Sequence, residues 1–128
     1  MSKAVLIVDD DPSIREMMDV ILTQAGFRVS ATSNGEAALD LLKRSRFALV
    51  VLDIHMPRMS GLDVLAVMEK LSGMPPVLMV TANSAPDTVR EAVGLGCSGY
   101  LAKPFSPAAL VARVRHALSP PSKALMIG

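Results

Sequence analysis

The chain reads as an α/β domain on a doubly wound parallel sheet, (βα)₅, with strand order 2-1-3-4-5. Three observations lead there. Two short apolar runs, Ala4-Val5-Leu6-Ile7-Val8 and Ala48-Leu49-Val50-Val51-Leu52, contain no polar residue. Runs of this kind are how strands buried on both faces of a parallel sheet read. Between such runs lie longer segments of helical period, which supply the crossovers that parallel strands require. Finally, both runs end in acid: Asp9-Asp10-Asp11 follows the first and Asp53 the second.

The elements follow in order from turn and capping signals. After the strand at 4–8, Asp11-Pro12 opens the first helix, with an acid placed to cap and proline at the first helical position. Ile14, Met17, Met18, Ile21, Leu22 and Ala25 recur at helical spacing, and Gly26 stops the helix. Residues 27–32 alternate enough to be a strand. Asn34-Gly35 leads into a helix over 36–44 whose apolar side is Ala38, Leu41 and Leu42. The third strand is 48–52, and a helix runs over about 61–71. Met74-Pro75-Pro76 breaks it before a strand at 77–80. A weaker helix covers 87–95, then comes a short strand at Tyr100-Leu101. Ser106-Pro107 caps and opens a final helix with Leu110, Val111, Val114 and Leu118 inward. One domain over residues 3–118 is expected. Residues 119–128, with Pro120-Pro121, read as a tail or the start of a linker to a further output domain.

Composition bounds the function. A length of 128 residues with 51% hydrophobic content suits a single domain with a real core. Mean hydropathy is high at +0.42, yet no apolar run approaches the roughly 20 residues of a membrane span. The five apolar residues after Met1-Ser2-Lys3 are too few for a signal peptide. A net charge of +1 gives no argument for nucleic acid or membrane binding. The lone Cys97 excludes an internal disulfide and fits a reducing compartment, so the expected location is cytoplasmic.

Parallel strands point the same way, so the terminal acids meet at one edge. The flavodoxin-like order has its switch point between the first and third strands, which places Asp9 and Asp10 beside Asp53 where ligands bind. Carboxylates converging there repel one another unless a cation lies among them. The residues thus point to a divalent-metal site containing a potential carboxylate nucleophile. The fourth strand end adds Thr81 and Ala82, and the fifth leads into Lys103-Pro104-Phe105.

Over residues 3–118 the sequence resembles the receiver domain of two-component response regulators. The matching residues are Asp9-Asp10, Asp53 with Met56-Pro57 and Gly61, Thr81-Ala82, Tyr100 and Lys103-Pro104-Phe105. The resemblance implies that Asp53 is a phosphoacceptor, taking a phosphoryl group from a histidine kinase phosphohistidine or a small acyl phosphate in a Mg²⁺-dependent reaction. Asp10, Asp53 and the His55 backbone carbonyl match the direct metal ligands, with Asp9 acting through metal-bound water. Mn²⁺ is the alternative ion. Lys103, the Thr81 hydroxyl and the N–H groups of Ile54 and Ala82 would cradle the phosphoryl oxygens. Thr81 and Tyr100 would form the switch, acting on the face made by the fourth helix, fifth strand and fifth helix. The side chains of His55 and Asn83 would tune the phosphoryl lifetime. The implied partners are a sensor histidine kinase or phosphotransfer protein and a downstream output domain or protein. The chain is expected to be a signalling switch rather than an enzyme turning over substrate, and a monomer or weak phosphorylation-dependent dimer.

Plainer readings stand beside these. Asp11 is a helix cap, and the imidazole of His55 is not a metal ligand, since imidazole suits Zn²⁺ better than Mg²⁺. Cys97 is a packed thiol, and most of the nine methionines fill the core from inward helical positions. Lys43, Arg44 and Arg46 form a solvated face. Arg113, Arg115 and His116 resemble the last helix of the winged-helix transcription-factor subfamily, whose dimers use ion pairs. The usual acids are here Ser98, Gly99 and Ala109, so these basic residues are expected to be simple surface. Two rivals remain: a cobalamin domain, whose Asp-x-His-x-x-Gly motif fails at Arg58, and an aspartyl phosphatase, which needs an acid where His55 stands.

Overall fold

The computed structural model describes residues 2–82 and 85–119. Asn83 and residues 120–128, which include nearly all of the expected tail, lie outside the described residues. Five strands, β1 (Ala4–Val8), β2 (Arg28–Thr32), β3 (Leu49–Asp53), β4 (Val77–Thr81) and β5 (Gly99–Ala102), form one sheet in the order β2-β1-β3-β4-β5. All four pairings are parallel. Helices α1 (Pro12–Gln24), α2 (Gly35–Arg44), α3 (Gly61–Lys70) and α4 (Pro86–Gly94) make the connections, and α5 (Pro107–Leu118) follows the last strand.

The apolar runs are unbroken because the central strands are covered twice. Side chains alternate across a strand, and the core accordingly divides in two. Leu6, Val8, Val50, Leu52, Val77 and Met79 pack with Ala38 and Leu42 of α2, Val64 and Met68 of α3, and Ala92 of α4. Val5, Ile7, Leu49, Val51, Leu78 and Val80 pack on the other side with Met18 and Leu22 of α1 and Leu110 and Val114 of α5. Each Val, Leu, Ile or Met among these, fully buried, contributes roughly 1.5–3 kcal/mol from area alone. The edge strand β2 has one face in water, so its sequence alternates.

The helix starts obey the capping chemistry of the sequence. The Asp11 carboxylate accepts from the Ser13 and Ile14 N–H groups, with Pro12 in the first turn of α1. Asn34, Ser60 and Ser106 cap α2, α3 and α5, and Ser60 with Asp63 completes a reciprocal capping box. Gly26, at φ 100, ends the turn after α1.

Two helical expectations differ from the fold. Met17 is 39% exposed rather than inward. At 100° per residue it lies about 80° from the centre of the stripe made by Ile14, Met18, Ile21 and Leu22, at the rim. In α2 it is Leu39, not Leu41, that joins the buried set. The methionines fill the core only in part, and not mostly from helices: among the described residues Met18, Met56, Met68 and Met79 are buried, and of these only Met18 and Met68 are helical.

Gly61 has a reason the sequence hides. A Cβ placed there would lie 2.2 Å from the Asp53 carbonyl oxygen and 2.9 Å from the Ile54 Cα. The Gly61 N–H also donates to the Ile54 carbonyl at 2.8 Å. The first turn of α3 therefore rests directly on the end of β3. Gly61→Ala should lower stability by about 1–3 kcal/mol through overpacking, read from urea unfolding midpoints. A loss below about 0.5 kcal/mol, as for an ordinary surface change, would mean the contact yields freely.

Candidate functional site

β1 and β3 pair with Val8 opposite Leu52, so the next residues of each strand, Asp9 and Asp53, emerge side by side. β3 and β4 pair with Asp53 opposite Val80, which brings Thr81 to the same edge. β4 and β5 pair with Thr81 opposite Ala102, and the Lys103 N–H donates to the Thr81 carbonyl at 2.8 Å. The peptide Lys103–Pro104 is cis. Four strand ends thus converge.

Asp9 is 0% exposed and every side of it is engaged. Its Oδ2 accepts from Lys103 Nζ at 2.9 Å and its Oδ1 from the Asp11 N–H at 2.9 Å. Its N–H donates to the Thr32 carbonyl at 3.2 Å, and its own carbonyl accepts from Arg15 at 2.8 Å. Asp10, between two tied neighbours, is exposed. It borders a crevice shared with Ile54, His55, Met56, Pro57 and Ser60. Carboxylate oxygens of Asp9, Asp10 and Asp53 lie within 4.8 Å of one another. Three hard oxygen donors this close fit Mg²⁺, which takes carboxylates and keeps waters.

Asp53 is 4% exposed, with Oδ1 3.5 Å from Lys103 Nζ. Burial, then the charge of Asp9, push its carboxyl up to about 6, against the pull of Lys103 and the His55 backbone N–H. Burial lowers the Lys103 ammonium, but the Asp9 hydrogen bond and the two carboxylate charges outweigh it and leave the net shift upward. Lys103 therefore stays a cation between two acids.

The expected residues arrive at one edge, with adjustments. The Ile54 N–H is engaged with the Val80 carbonyl at 3.3 Å, whereas the N–H that meets the Asp53 carboxylate is that of His55. The His55 side chain is exposed and is not part of the carboxylate cluster. Thr81 is 0% exposed, and Ala82 follows it at the surface. Tyr100 lies partly buried on β5 beside Met79. Burial raises both its phenol and the Cys97 thiol, as suits a packed cysteine. Arg113, expected as simple surface, donates to the Tyr100 carbonyl at 2.7 Å and so ties α5 to β5. Asn83 lies outside the described residues.

Sequence reasoning missed Arg15. One signal was available: a cation so near the start of a helix opposes the helix dipole, and the acid that could offset it, Asp11, is already engaged as the N-cap.

A family model for the response regulator receiver domain matches residues 5–115. The DNA-binding response regulator MtrA of Mycolicibacterium smegmatis is 41% identical over all of this chain and 58% of its own length. This chain thus spans about half the length of the curated relatives it matches. Chemotaxis response regulator CheY4 of Vibrio cholerae superposes with a TM-score of 0.86 at 32% identity, over 91% of this chain and 99% of that one. A CheY-like receiver domain protein from Methanospirillum hungatei gives 0.87 at 28% identity, over 92% and 94%. No helix among the described residues is long and apolar enough to cross a membrane.

Asp53 predicts a pH signature in metal-free buffer. Its folded pKa, about 6, is raised above the ordinary 3.8. Its stabilising contribution is therefore full below about pH 4 and is lost as pH rises through about 6. Between pH 4 and 7.5 the unfolding free energy of the wild type should fall by about 2–3 kcal/mol relative to Asp53→Asn. A pH-independent difference between the two would mean that Asp53 titrates as an exposed acid.

Proposed function

Because the chain belongs to the response regulator receiver domain family, we propose that it is a phosphorylation-controlled switch with Asp53 as the phosphoacceptor. The observation that carries this reading is a buried aspartate beside both a lysine ammonium and two further acids at the carboxyl edge of the sheet. An Asp53 oxygen attacks phosphorus, the new P–O bond forms as the P–N bond of a phosphohistidine breaks, and the imidazole leaves with a proton. An acyl phosphate serves equally, losing its carboxylate. The donor is a sensor histidine kinase or phosphotransfer protein in the cytoplasm. The chain acts only on its own phosphoryl group and turns over no other substrate.

Asp10 and Asp53, with the His55 carbonyl, are the proposed direct ligands of Mg²⁺ or Mn²⁺, and Asp9 acts through water. Bound there, the ion neutralises charge on the phosphoryl oxygens. Lys103 follows the transferring group as a mobile cation, already placed between Asp9 and Asp53. The Thr81 hydroxyl and the Ala82 N–H complete the cradle, whereas the expected Ile54 N–H is held by the Val80 carbonyl. The His55 N–H, which already meets the Asp53 carboxylate, joins them.

The switch follows from charge. Three carboxylates against Lys103 and one divalent ion sum formally to zero. Phosphorylation replaces one negative charge with roughly −2. The excess draws Thr81 inward, Tyr100 turns toward the space behind it, and the α4-β5-α5 face changes for an output domain or protein. With Ser98, Gly99 and Ala109 where dimerising relatives carry acids, and Arg113 held on the Tyr100 carbonyl, a monomer or weak phosphorylation-dependent dimer is the proposed state. Nothing in the charge supports direct contact of this domain with nucleic acid or membrane.

With acetyl phosphate and Mg²⁺, intact mass should show one phosphoryl group on the wild type and none on Asp53→Asn. A phosphoryl mass gained by the Asp53→Asn variant would overturn the assignment. Substituting His55 by alanine, or Asn83 likewise, should change the decay rate of the phosphorylated protein several-fold. Mg²⁺ affinity should stay within about twofold, because neither side chain is among the proposed metal ligands. Loss of metal binding in His55→Ala with unchanged decay would make the imidazole a ligand.

A further inference from the structure

We propose that Arg15 is a positioning residue for the metal site, holding the Asp9–Asp10 peptide so that the Asp10 carboxylate faces the crevice. The inference rests on the proposed metal reading of Asp9, Asp10 and Asp53. Arg15 is half-buried on α1, and its guanidinium donates to the Asp9 carbonyl at 2.8 Å. That carbonyl belongs to the same planar unit as the Asp10 N–H, so fixing one fixes the direction in which the Asp10 backbone departs. The Asp9 side is already immobile through Thr32, Asp11 and Lys103. Asp10 is the exposed member of the acid cluster, and the Arg15 bond is the restraint nearest to it from outside the acidic run.

Two considerations oppose a bland role. A cation at this place in α1 works against the helix dipole, and its guanidinium donates to the Asp9 carbonyl rather than pairing with Asp11 four residues before it, so a local helix ion pair does not account for it. Its charge also repels a divalent ion bound to the same acids, so it is no electrostatic help to the metal. What it supplies is geometry, through a charge-assisted hydrogen bond to a backbone oxygen. Partners of this kind, one step outside the ligands, typically govern metal affinity by about 10–100-fold.

Tether and charge predict opposite signs, which makes the test decisive. Mg²⁺ is titrated into the unphosphorylated protein and followed by backbone amide shifts, which also report whether each variant is folded. Arg15→Met, of similar reach but without a donor, should weaken binding about tenfold. Arg15→Lys, which retains an N–H donor, should recover most of it. In an Asp10→Asn background, Arg15→Met should add little, because the ligand it positions is already gone. If Arg15→Met does not fold, Arg15→Gln, too short to reach the carbonyl, should show the same weakening. Binding that is unchanged or tighter in a folded variant, as removal of a repelling cation would give, overturns the tether. A wild type that shows no Mg²⁺ response at millimolar concentration overturns the metal reading and this inference with it, an outcome distinct from the first.

Discussion

The carboxylate of Asp9 is fully withdrawn from water, and much of the site is arranged around that constraint. An ionised carboxylate in such a place is tolerated only with a charge partner and hydrogen bonds. Here both exist: Lys103 Nζ on one oxygen and the Asp11 N–H on the other. The lysine is supplied from beyond β5, 94 residues away in sequence, so the bond crosses from the first strand to the loop after the last. Removing one partner from a pair this deep typically costs about 3–5 kcal/mol. The same need that draws Lys103 in also leaves its ammonium beside Asp53, whose oxygen is within 3.5 Å. Structural compensation and the poised cation are one arrangement.

The loop between β3 and α3 is held by the same economy of parts. Gly61 packs on the Asp53 carbonyl, the Ile54 carbonyl accepts from it, and Met56 is buried. Within that loop Arg58 has φ 68, a left-handed conformation that carries a penalty of roughly 1–2 kcal/mol for a residue with a Cβ. Held to the end of β3 by the packing of Gly61 and at the start of α3 by the Ser60–Asp63 capping box, the loop has no simple way to relax it. The same backbone carries the His55 N–H, whose pull lowers the Asp53 carboxyl against the effect of burial.

Much of this was legible beforehand. Strand burial on two faces writes an unbroken apolar run, and helix starts write Asp11-Pro12, Ser60 and Ser106-Pro107, so element identity and order followed from local chemistry. The convergence of Asp9, Asp10, Asp53, Thr81 and Lys103 needed only strand order and the shared direction of parallel strands. What stayed hidden depends on backbone geometry that no periodicity encodes. Whether the N–H of Ile54 or of His55 turns toward Asp53 depends on the course of the backbone as it leaves β3. The Arg15 and Arg113 bonds end on carbonyl oxygens, which every residue carries and no sequence marks. The need for glycine at 61 arises from a helix meeting the end of the strand that precedes it, across an intervening loop. Met17 lay at the rim of its stripe, where a few degrees of rotation decide between core and water.

Tyr100 gives the molecule an optical property. The chain holds one tyrosine and no tryptophan, so its ultraviolet emission originates almost wholly from a single phenol. That phenol lies on β5, packed against the Met79 layer of the core and near Cys97, on a strand whose carbonyl is gripped from α5 by Arg113. Any rearrangement of the β5 edge alters the polarity and quenching around this one ring, and no second chromophore averages the signal. The domain thus carries a native, single-site fluorophore at the strand that links its acidic edge to its last helix.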